Sequence, residues 1–260
     1  MSPPAPLAFI TGASSGIGQA LALRYARAGW RLALVARRAD ALQAWADAQG
    51  LDASRCRCYA ADVREVAQIA HAAQQCLREQ GLPDVVIANA GISVGMDTAL
   101  AEDLEVLRAT YETNNIGLAA TFQPFVAPMR HRGSGTLVGV ASVAAIRGLP
   151  GHAAYCSSKA AVVSFCESLR GECRDKGVRV VALLPGYVDT PLTRRNRYGM
   201  PFLLSADEFA ERAFRAIASG TSYRVIPWQM AIVAKLMRLL PDALFDRLMA
   251  GRPRKRRQGE

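Results

Sequence analysis

The chain has 260 residues, of which 51% are hydrophobic and 21% are charged, and its formal net charge is +10. This length and composition suit a globular protein with a large buried core. The sequence contains no apolar run of the roughly 18 residues that a membrane span needs, and its first residues lack the pattern of a secretory signal. The six cysteines form no C-x-x-C pair and have no histidine at zinc spacing. We therefore expect no disulfide framework, no metal site and a reducing, cytoplasmic setting.

Positive charge is concentrated in the last ten residues, GRPRKRRQGE. They hold five basic residues and one acidic residue, which leaves a net charge of +6 for the rest of the chain. Such a tail is usually a solvated chain end, and no helix-turn-helix, zinc-finger or aromatic stacking motif accompanies it. We predict that residues 252–260 are disordered and that the chain has no specific nucleic-acid partner.

Short apolar runs alternate with longer amphipathic stretches up to about residue 226. The runs have strand length and no period-two polarity, which is typical of strands covered on both faces of a parallel sheet; they lie at 7–11, 31–36, 56–60, 84–88, 136–141, 178–184 and 223–226. The amphipathic stretches predict helices at 15–28, 65–80, 103–129 (with interruptions at Pro124 and Pro128), 155–175 and 206–219. The predicted fold class is therefore α/β: a Rossmann-type, doubly wound, mostly parallel sheet of seven strands with helices on both faces, spanning residues 1–226.

A glycine-rich turn follows the first predicted strand. The sequence T-G-A-S-S-G-I-G at 11–18 places Gly12, Gly16 and Gly18 between a strand and a helix. Glycines there permit a tight turn and a close approach of the backbone to a pyrophosphate, which the helix N-terminus then stabilises. Because ligands bind doubly wound sheets at the carboxyl ends of the strands, this turn is a predicted nucleotide site.

Tyr155 and Lys159 lie one turn apart on a predicted helix, where residues i and i+4 are neighbours. The chain has 28 Arg and only 4 Lys, and about 0.1 Tyr-x-x-x-Lys motifs are expected by chance at this composition. A lysine in so arginine-rich a chain indicates a need for a compact ammonium with three rotatable donors.

From Leu7 to about Ile226 the sequence resembles the short-chain dehydrogenase/reductase family, in its compact single-domain branch. Seven motifs carry the resemblance, in the family's order: T-G-A-S-S-G-I-G at 11–18, Asp62-Val63, A-N-A-G at 88–91, N-N-I-G at 114–117, Ser142, Tyr155-x-x-x-Lys159 and P-G-Y-V-D-T at 185–190. One departure is Ala88, where the family usually has Asn, and we expect it to cost little beyond a loop hydrogen bond.

Hydride transfer from a nicotinamide to a carbonyl leaves charge on oxygen, so the site needs a proton donor. Tyr155 is the candidate donor, and Lys159 is placed to favour its phenolate. The resemblance implies that Lys159 also binds the nicotinamide ribose and that Ser142 hydrogen-bonds the substrate oxygen. It further implies that Asn114 holds a water that continues the proton relay; Asn115 is the weaker candidate because the glycine spacing fits Asn114.

The end of the second strand indicates which cofactor is preferred. An acidic residue there would accept hydrogen bonds from the ribose 2′-hydroxyl, but the sequence has Ala36 followed by Arg37 and Arg38. No carboxylate is present to bind the hydroxyl or repel a phosphate, and an arginine fork suits a phosphate. We therefore predict NADP(H) rather than NAD(H).

The turn, the arginines and the resemblance together predict a set of cofactor-binding residues. They are Gly12, Ser14, Ser15, Gly16, Ile17, Gly18, Arg37, Arg38, Asp62, Val63, Asn89, Ala90, Gly91, Tyr155, Lys159, Pro185, Gly186, Val188 and Thr190.

The substrate side is predicted to include a lid at 191–205, which the family closes over its substrate. Arg194, Arg195 and Arg197 there would suit an acidic or amphipathic substrate, although arginines on a loop are usually solvated. Residues 227–251 are a predicted helical extension on the same domain. Its role is open between closing the pocket, forming a homo-dimer or homo-tetramer contact, and binding an anionic membrane surface with the basic tail; we favour the first two because apolar helical stripes are usually core.

Other reactive side chains have ordinary interpretations. Cys156 points about 100° away from its neighbour Tyr155 on a helix and is predicted to pack in the core. We interpret His152 as a loop histidine, with contact to substrate as the alternative, and we place His71 and His131 on the surface.

The sequence therefore predicts an NADP(H)-dependent oxidoreductase that interconverts a carbonyl and an alcohol on a small molecule. Two alternatives remain: an epimerase or dehydratase that uses the same Tyr-Lys pair, and a non-catalytic NADP(H)-sensing protein. The first usually carries a larger C-terminal substrate domain. The second does not explain the complete set of Ser142, Tyr155, Lys159 and Asn114.

Overall fold

The computed structural model of the chain describes residues 4–194, 196 and 198–257. Arg195 and Arg197 of the predicted lid and residues 258–260 of the predicted tail lie outside the described residues. The strands are β1 (Leu7–Thr11), β2 (Arg31–Ala36), β3 (Cys56–Ala60), β4 (Val85–Ala88), β5 (Gly135–Val140), β6 (Val178–Pro185) and β7 (Tyr223–Ile226). They form one parallel sheet in the order β3-β2-β1-β4-β5-β6-β7, which confirms the predicted fold class.

The helices are α1 (Gly16–Arg27), α2 (Ala39–Ala48), α3 (Val66–Glu79), α4 (Leu104–Tyr111), α5 (Gly117–Arg132), α6 (Ala153–Cys173), α7 (Ala206–Ala218), α8 (Trp228–Leu239) and α9 (Asp242–Met249). The chain order reverses beside β1, where β2 and β4 flank it on opposite sides. A sheet wound in this way opens a crevice at the carboxyl ends of its central strands.

Alternate residues of each strand face opposite layers of helices. Leu7 and Phe9 of β1 pack with residues of α3, α5 and α6, whereas Ala8 and Ile10 pack with residues of α1, α2 and α7. All four side chains are fully buried. Burial on both faces is the physical reason that the strands lack period-two polarity in the sequence.

The long helix predicted over 103–129 is interrupted at a different place from the one predicted. A π-helical turn, Glu112–Ile116, separates α4 from α5, and α5 then continues without a break through Pro124 and Pro128. Proline removes a hydrogen bond from a helix interior, but this helix buries a whole apolar face in the core, including Phe125, and that packing offsets the loss. The interruption therefore lies at the turn that contains Asn114.

The C-terminal helices α8 and α9 pack on the rest of the domain through Arg147, which lies in the loop after β5. Its guanidinium donates hydrogen bonds to the main-chain oxygen of Leu240 (2.7 Å) and to the carboxylate of Asp242 (2.8 Å), and it lies 3.9 Å from the centre of the Phe245 ring. The opposite face remains exposed and apolar, with Trp228, Ile232, Leu236, Leu239, Leu244 and Leu248. Within the described ranges, no helix is both long enough and apolar enough to cross a bilayer.

Residues 252–257, which we call the strap, differ from the predicted disorder. The amide of Gly95 donates to the main-chain oxygen of Arg256 (2.9 Å), and Gly95 pairs with Arg257 in a parallel bridge. The Arg257 guanidinium also donates to the buried carboxylate of Asp103 (2.7 Å). Main-chain pairing and an ion pair to a buried acid give this segment a defined path, and neither is visible in its composition.

Candidate active site

A cleft of about 520 Å³ opens at the carboxyl ends of the central strands. Nearly all of the predicted cofactor residues line it, together with Ser142: Gly12, Ser14, Ser15, Gly16, Ile17, Arg37, Asp62, Val63, Asn89, Ala90, Gly91, Tyr155, Lys159, Pro185, Gly186, Val188 and Thr190. Gly18, Arg38 and Asn114 are outside this lining. The fold thus brings together in one cleft residues that are up to 178 positions apart in the chain, between Gly12 and Thr190.

The glycine-rich turn has no room for side chains at two of its glycines. A Cβ on Gly12, whose φ is +66°, would lie 2.8 Å from the Cα of Ala90, and a Cβ on Gly18 would lie 2.1 Å from the main-chain oxygen of Gly12. Gly18 therefore serves the packing of α1 against the turn rather than the cleft surface. Gly16 also has a positive φ, +53°, which glycine adopts without strain.

Asn89 joins the ends of β1 and β4 below the cleft. Its side-chain amide donates to the main-chain oxygens of Thr11 (3.1 Å) and Gly12 (3.2 Å), and its own main-chain amide donates to the Thr11 hydroxyl (3.2 Å). The neighbouring Ala88, which departs from the family pattern, is buried in the core. The Asn that the sequence retains therefore holds the floor of the predicted nucleotide site.

Lys159 is buried at the centre of the cleft, with 5% of its surface exposed. Its ammonium donates to the main-chain oxygen of Val140 (2.8 Å) and lies 5.8 Å from the centre of the Tyr155 ring. A Cβ on Gly91 would come within 3.3 Å of the ammonium and 3.1 Å of Asn114 Oδ1. Burial lowers the pKa of Lys159 to about 8, so this lysine is poised to exchange a proton near neutral pH.

Ser142 and Tyr155 both line the cleft. Ser142 follows β5 and caps a short 3₁₀ turn, where its hydroxyl accepts a hydrogen bond from the Ala144 amide (3.2 Å). Burial raises the pKa of Tyr155, and a hydrogen bond with the Ser142 side chain acts in the opposite direction. The pKa of Tyr155 is therefore raised overall in this structure. The charge of Lys159 alone would lower it.

Asn114 lies in the π-helical turn and is buried, 1% exposed. Its side chain exchanges hydrogen bonds with the main chain of Ile92 (2.9 and 3.1 Å) and donates to the Ser158 hydroxyl (2.9 Å). Asn115 instead donates to the main-chain oxygen of Ser158 (2.9 Å). The structure thus places Asn114, rather than Asn115, against the loop that also approaches Lys159; its role in holding a water stays a prediction.

The adenosine end of the predicted nucleotide site contains an arginine that sequence reasoning missed. Arg64 lines the cleft and forms a bidentate ion pair with Asp62, in which the shortest distance, Nη2 to Oδ2, is 2.7 Å. Hydrogen bonds from Arg64 and the charge of Arg37 lower the pKa of Asp62. Arg37 lies in the lining, whereas Arg38 is the N-cap residue of α2 and is exposed.

Two aromatic side chains beside the cleft were also missed: Tyr187, which precedes the lid, and Tyr198 within it. The lid leaves the sheet after β6 and returns at Leu204, whose amide donates to the main-chain oxygen of Tyr187 (3.0 Å). The ring centres of Tyr187 and Tyr198 are 6.2 Å apart, and the Tyr198 hydroxyl lies 3.5 Å from His152 Nε2. Burial raises the pKa of Tyr198, and the nearby phenols of Tyr187 and Tyr155 raise it further.

The remaining side chains largely follow their ordinary interpretations. Cys156 is buried, and His71 and His131 are exposed. His152 is 8% exposed and touches the lid, so it belongs to the substrate side rather than to an isolated loop. Among the described residues, no cluster of three or more His, Cys, Asp or Glu could hold a metal ion.

A doubly wound parallel sheet with a glycine-lined cleft and a Ser-Tyr-Lys set in it defines a class of nucleotide-binding oxidoreductases. A family model described as short chain dehydrogenase matches residues 6–200. An uncharacterised oxidoreductase of Myxococcus xanthus is 39% identical over 239 residues, which cover 92% of this chain and 94% of that protein. Dehydrogenase/reductase SDR family member 7B of Bos taurus is 32% identical over 271 residues, covering 96% and 82%.

Solved structures show the same likeness. A short chain dehydrogenase from Burkholderia cenocepacia in complex with NADP has a TM-score of 0.81 at 25% identity and covers 96% of this chain and 100% of that one. A short chain dehydrogenase/reductase from Burkholderia phymatum in complex with NAD has a TM-score of 0.80 at 26% identity, covering 90% and 92%. The chain belongs to the short-chain dehydrogenase/reductase family and is an NAD(P)-binding oxidoreductase.

Proposed function

We propose that this oxidoreductase uses NADP(H) to interconvert a carbonyl and an alcohol on a small-molecule substrate, with Tyr155 as the proton donor. The strongest support is the arrangement of three side chains in one cleft. The side chains of Tyr155 and Ser142 both line the cleft, and the Lys159 ammonium is held one helical turn from Tyr155 by the main chain of β5. Addition of a hydride to a carbonyl carbon requires such donors at the oxygen.

The residues of the cleft fit a dinucleotide. Gly12 and Gly91 leave the backbone without side chains at these two positions. A Cβ on Gly12 would lie 2.8 Å from the Cα of Ala90, and a Cβ on Gly91 would lie 3.3 Å from the Lys159 ammonium. Bare backbone beside the N-terminus of α1 permits the close approach that a pyrophosphate needs. When bound, the nicotinamide supplies the hydride for reduction or accepts it in oxidation.

In the reductive direction, Ser142 and Tyr155 hold the carbonyl oxygen, and Tyr155 transfers its proton to that oxygen as the carbon is reduced. The raised pKa of Tyr155 keeps the phenol protonated before the transfer. Lys159 stabilises the phenolate that forms and returns a proton to it, which its own pKa of about 8 permits near neutral pH. Asn114, fixed against Ile92, positions the water through which Lys159 is reprotonated. Oxidation of the alcohol reverses these transfers.

The preference for NADP(H) is supported by the charges at the adenosine end of the cleft. Arg37 lines the cleft directly after β2, and the carboxylate of Asp62 in the same lining is neutralised by its ion pair with Arg64. A 2′-phosphate would therefore meet net positive charge there. The related structures contain NADP in one case and NAD in another, so the proposal depends on these residues rather than on the likeness.

The proposal is tested with purified protein and a panel of aldehydes, ketones and alcohols, by following NADPH and NADH absorbance. We expect turnover with kcat/KM at least about tenfold higher for NADPH, equivalent to about 1.4 kcal/mol. A preference for NADH would contradict the cofactor assignment. If the protein binds NADPH but neither oxidises nor reduces any compound of the panel, a non-catalytic NADP(H)-sensing role would be favoured instead.

We further propose a homo-oligomer, a homo-dimer or a homo-tetramer, whose contact includes the exposed apolar face of α8 and α9. Leu239 is 79% exposed and Trp228 is 64% exposed on that face. An exposed apolar stripe of this kind usually forms a contact with another protein surface. Because basic residues lie nearby, binding to an anionic membrane surface is the alternative.

A further inference from the structure

The strap contacts three loops, and one of them, the lid, borders the cleft at Leu192. The Gly95 amide binds the strap from the loop after β4, and the Arg254 side chain lies against Gly151 in the loop before α6. The Lys255 ammonium donates to the main-chain oxygen of Leu192 (3.1 Å) and to Asn196 Oδ1 (2.8 Å) in the lid. The strap is therefore the element that joins the lid to the fixed wall of the cleft.

Lys255 is a partly enclosed cation whose bonded partners are neutral. Its two acceptors are a main-chain oxygen and an amide oxygen, and none of the described carboxylates lies within 4.0 Å of its ammonium. Burial lowers the pKa of Lys255, as expected when no anion compensates the charge. By contrast, Arg257 of the same strap is paired with Glu102 and Asp103.

The position of Lys255 relative to the reacting groups follows from a chain of contacts. Leu192, to which Lys255 bonds, lines the same cleft as Tyr155. The same lid carries Tyr198, whose hydroxyl lies 3.5 Å from His152 Nε2 and whose ring centre lies 6.2 Å from that of Tyr187. Lys255 is thus bonded to a segment that lines the cleft at Leu192 and carries an aromatic side chain six residues further on.

We infer that the strap is the outer wall of the substrate site and that Lys255 anchors an anionic group, a carboxylate, at the end of the substrate remote from its carbonyl. The inference rests on the proposed function, in which the carbonyl oxygen of the substrate binds Tyr155. The aromatic rings of Tyr187 and Tyr198, whose centres are 6.2 Å apart, would then contact the body of the substrate and suit one that is flat or apolar. The preferred substrate class is therefore an aldehyde or ketone that bears a distal carboxylate.

Protection of the lid from chymotrypsin tests this inference without requiring turnover. The lid has exposed cleavage sites at Leu192, Phe202 and Leu203, and residues 250–260 contain no aromatic or leucine residue. NADPH-bound full-length protein is digested with increasing 4-formylbenzoate or with its uncharged methyl ester, and cleavage within 192–203 is followed by mass spectrometry. We expect the acid to half-protect the lid at a concentration at least about tenfold lower than the ester.

Two variants, each with a matched control, separate the effect of the Lys255 charge from the effect of the position of the strap. Lys255→Ala removes the ammonium, with exposed Lys176→Ala as the control. Gly95→Ala keeps every charge but places a Cβ 2.1 Å from the main-chain oxygen of Lys255, so the strap must shift; Gly171→Ala, which has nothing within 4 Å, is its control. Both test variants should lose the preference for the acid while retaining wild-type NADPH affinity, measured by fluorescence, and both controls should keep it.

The outcomes separate the inference from the proposed function. Equal protection by acid and ester, no protection by either, or an undiminished preference in Lys255→Ala would overturn the inference while NADPH binding persists. Failure of the wild-type protein to bind NADPH would overturn the proposed function, and the inference with it.

Discussion

The ammonium of Lys159 donates a 2.8 Å hydrogen bond to the main-chain oxygen of Val140, the last residue of β5. Ser142 follows two residues later, and Tyr155 precedes Lys159 by one helical turn. This one bond therefore ties the helix that carries the proposed proton donor to the strand end that carries its partner. It also fixes the buried ammonium 5.8 Å from the centre of the Tyr155 ring.

Lys159→Arg should lower kcat by on the order of 100-fold or more, the range expected for loss of a proton-transfer group. The side chain is buried, its ammonium lies close to the Gly91 backbone, and a planar guanidinium is too large for that space and does not give up its proton. Steady-state kinetics with the best substrate of the panel measure the effect, and exposed Lys176→Arg is the control. Near-normal turnover in Lys159→Arg would contradict the assigned role.

Stability should depend on pH through Lys159. Burial lowers its pKa to about 8, against 10.5 for an ordinary lysine. Between these values the unfolded chain binds more protons, so the free energy of unfolding rises as pH rises. Relative to Lys159→Met, the wild-type protein should gain up to about 3 kcal/mol between pH 8 and pH 10.5. Denaturant unfolding across this range checks the slope, and a constant difference between the two proteins would argue against the lowered pKa.

Arg37→Ala should reduce kcat/KM for NADPH at least about tenfold and leave NADH little changed, because only NADPH carries the 2′-phosphate. The matched control is Arg38→Ala, since Arg38 is adjacent in sequence but lies outside the cleft lining. Equal losses in the two variants would indicate a general effect of positive charge rather than a contact at Arg37.

Leu236→Glu combined with Leu239→Glu should convert the proposed oligomer to a monomer, since both side chains lie on the exposed face of α8. Light scattering measures the mass, and co-sedimentation with anionic lipid vesicles tests the membrane alternative. Oligomers that persist in the double variant would place the subunit contact elsewhere. Vesicle binding by the wild-type protein that the variant loses would favour the membrane alternative.

The sheet could be predicted closely because burial on both faces leaves a clear mark on the sequence. β1, β2, β3 and β7 have the predicted bounds, β4 and β6 differ by one residue at one end, and β5 is shifted by one residue. The helix interruption was predicted at Pro124 and Pro128, but it lies before α5. The packing of Phe125 and its neighbours in the core stabilises the helix by more than the two prolines destabilise it. The position of a π-helical turn depends on tertiary contacts of Asn114, which no local pattern reports.

The sequence motifs predicted most of the residues that line the cleft, but they did not predict the strap. Gly12 and Tyr155 belong to short motifs whose residue spacing follows from the local turn or helix in which they lie. The strap is held by contacts between residues far apart in the chain, such as the Gly95–Arg256 hydrogen bond across 161 positions and the Arg257–Asp103 ion pair. Its basic composition matches a solvated tail, so only the folded structure distinguishes Lys255, bonded to the lid, from a surface charge.

Substitution of Tyr155 by phenylalanine tests the central claim most directly. The change removes one oxygen atom and keeps the ring, so the fold should be unchanged, and single-turnover measurement on bound NADPH separates chemistry from cofactor affinity. We expect single-turnover oxidation of bound NADPH by a saturating carbonyl substrate to slow at least about 100-fold in Tyr155→Phe. Oxidation of NADPH at the wild-type rate by this variant would contradict the account.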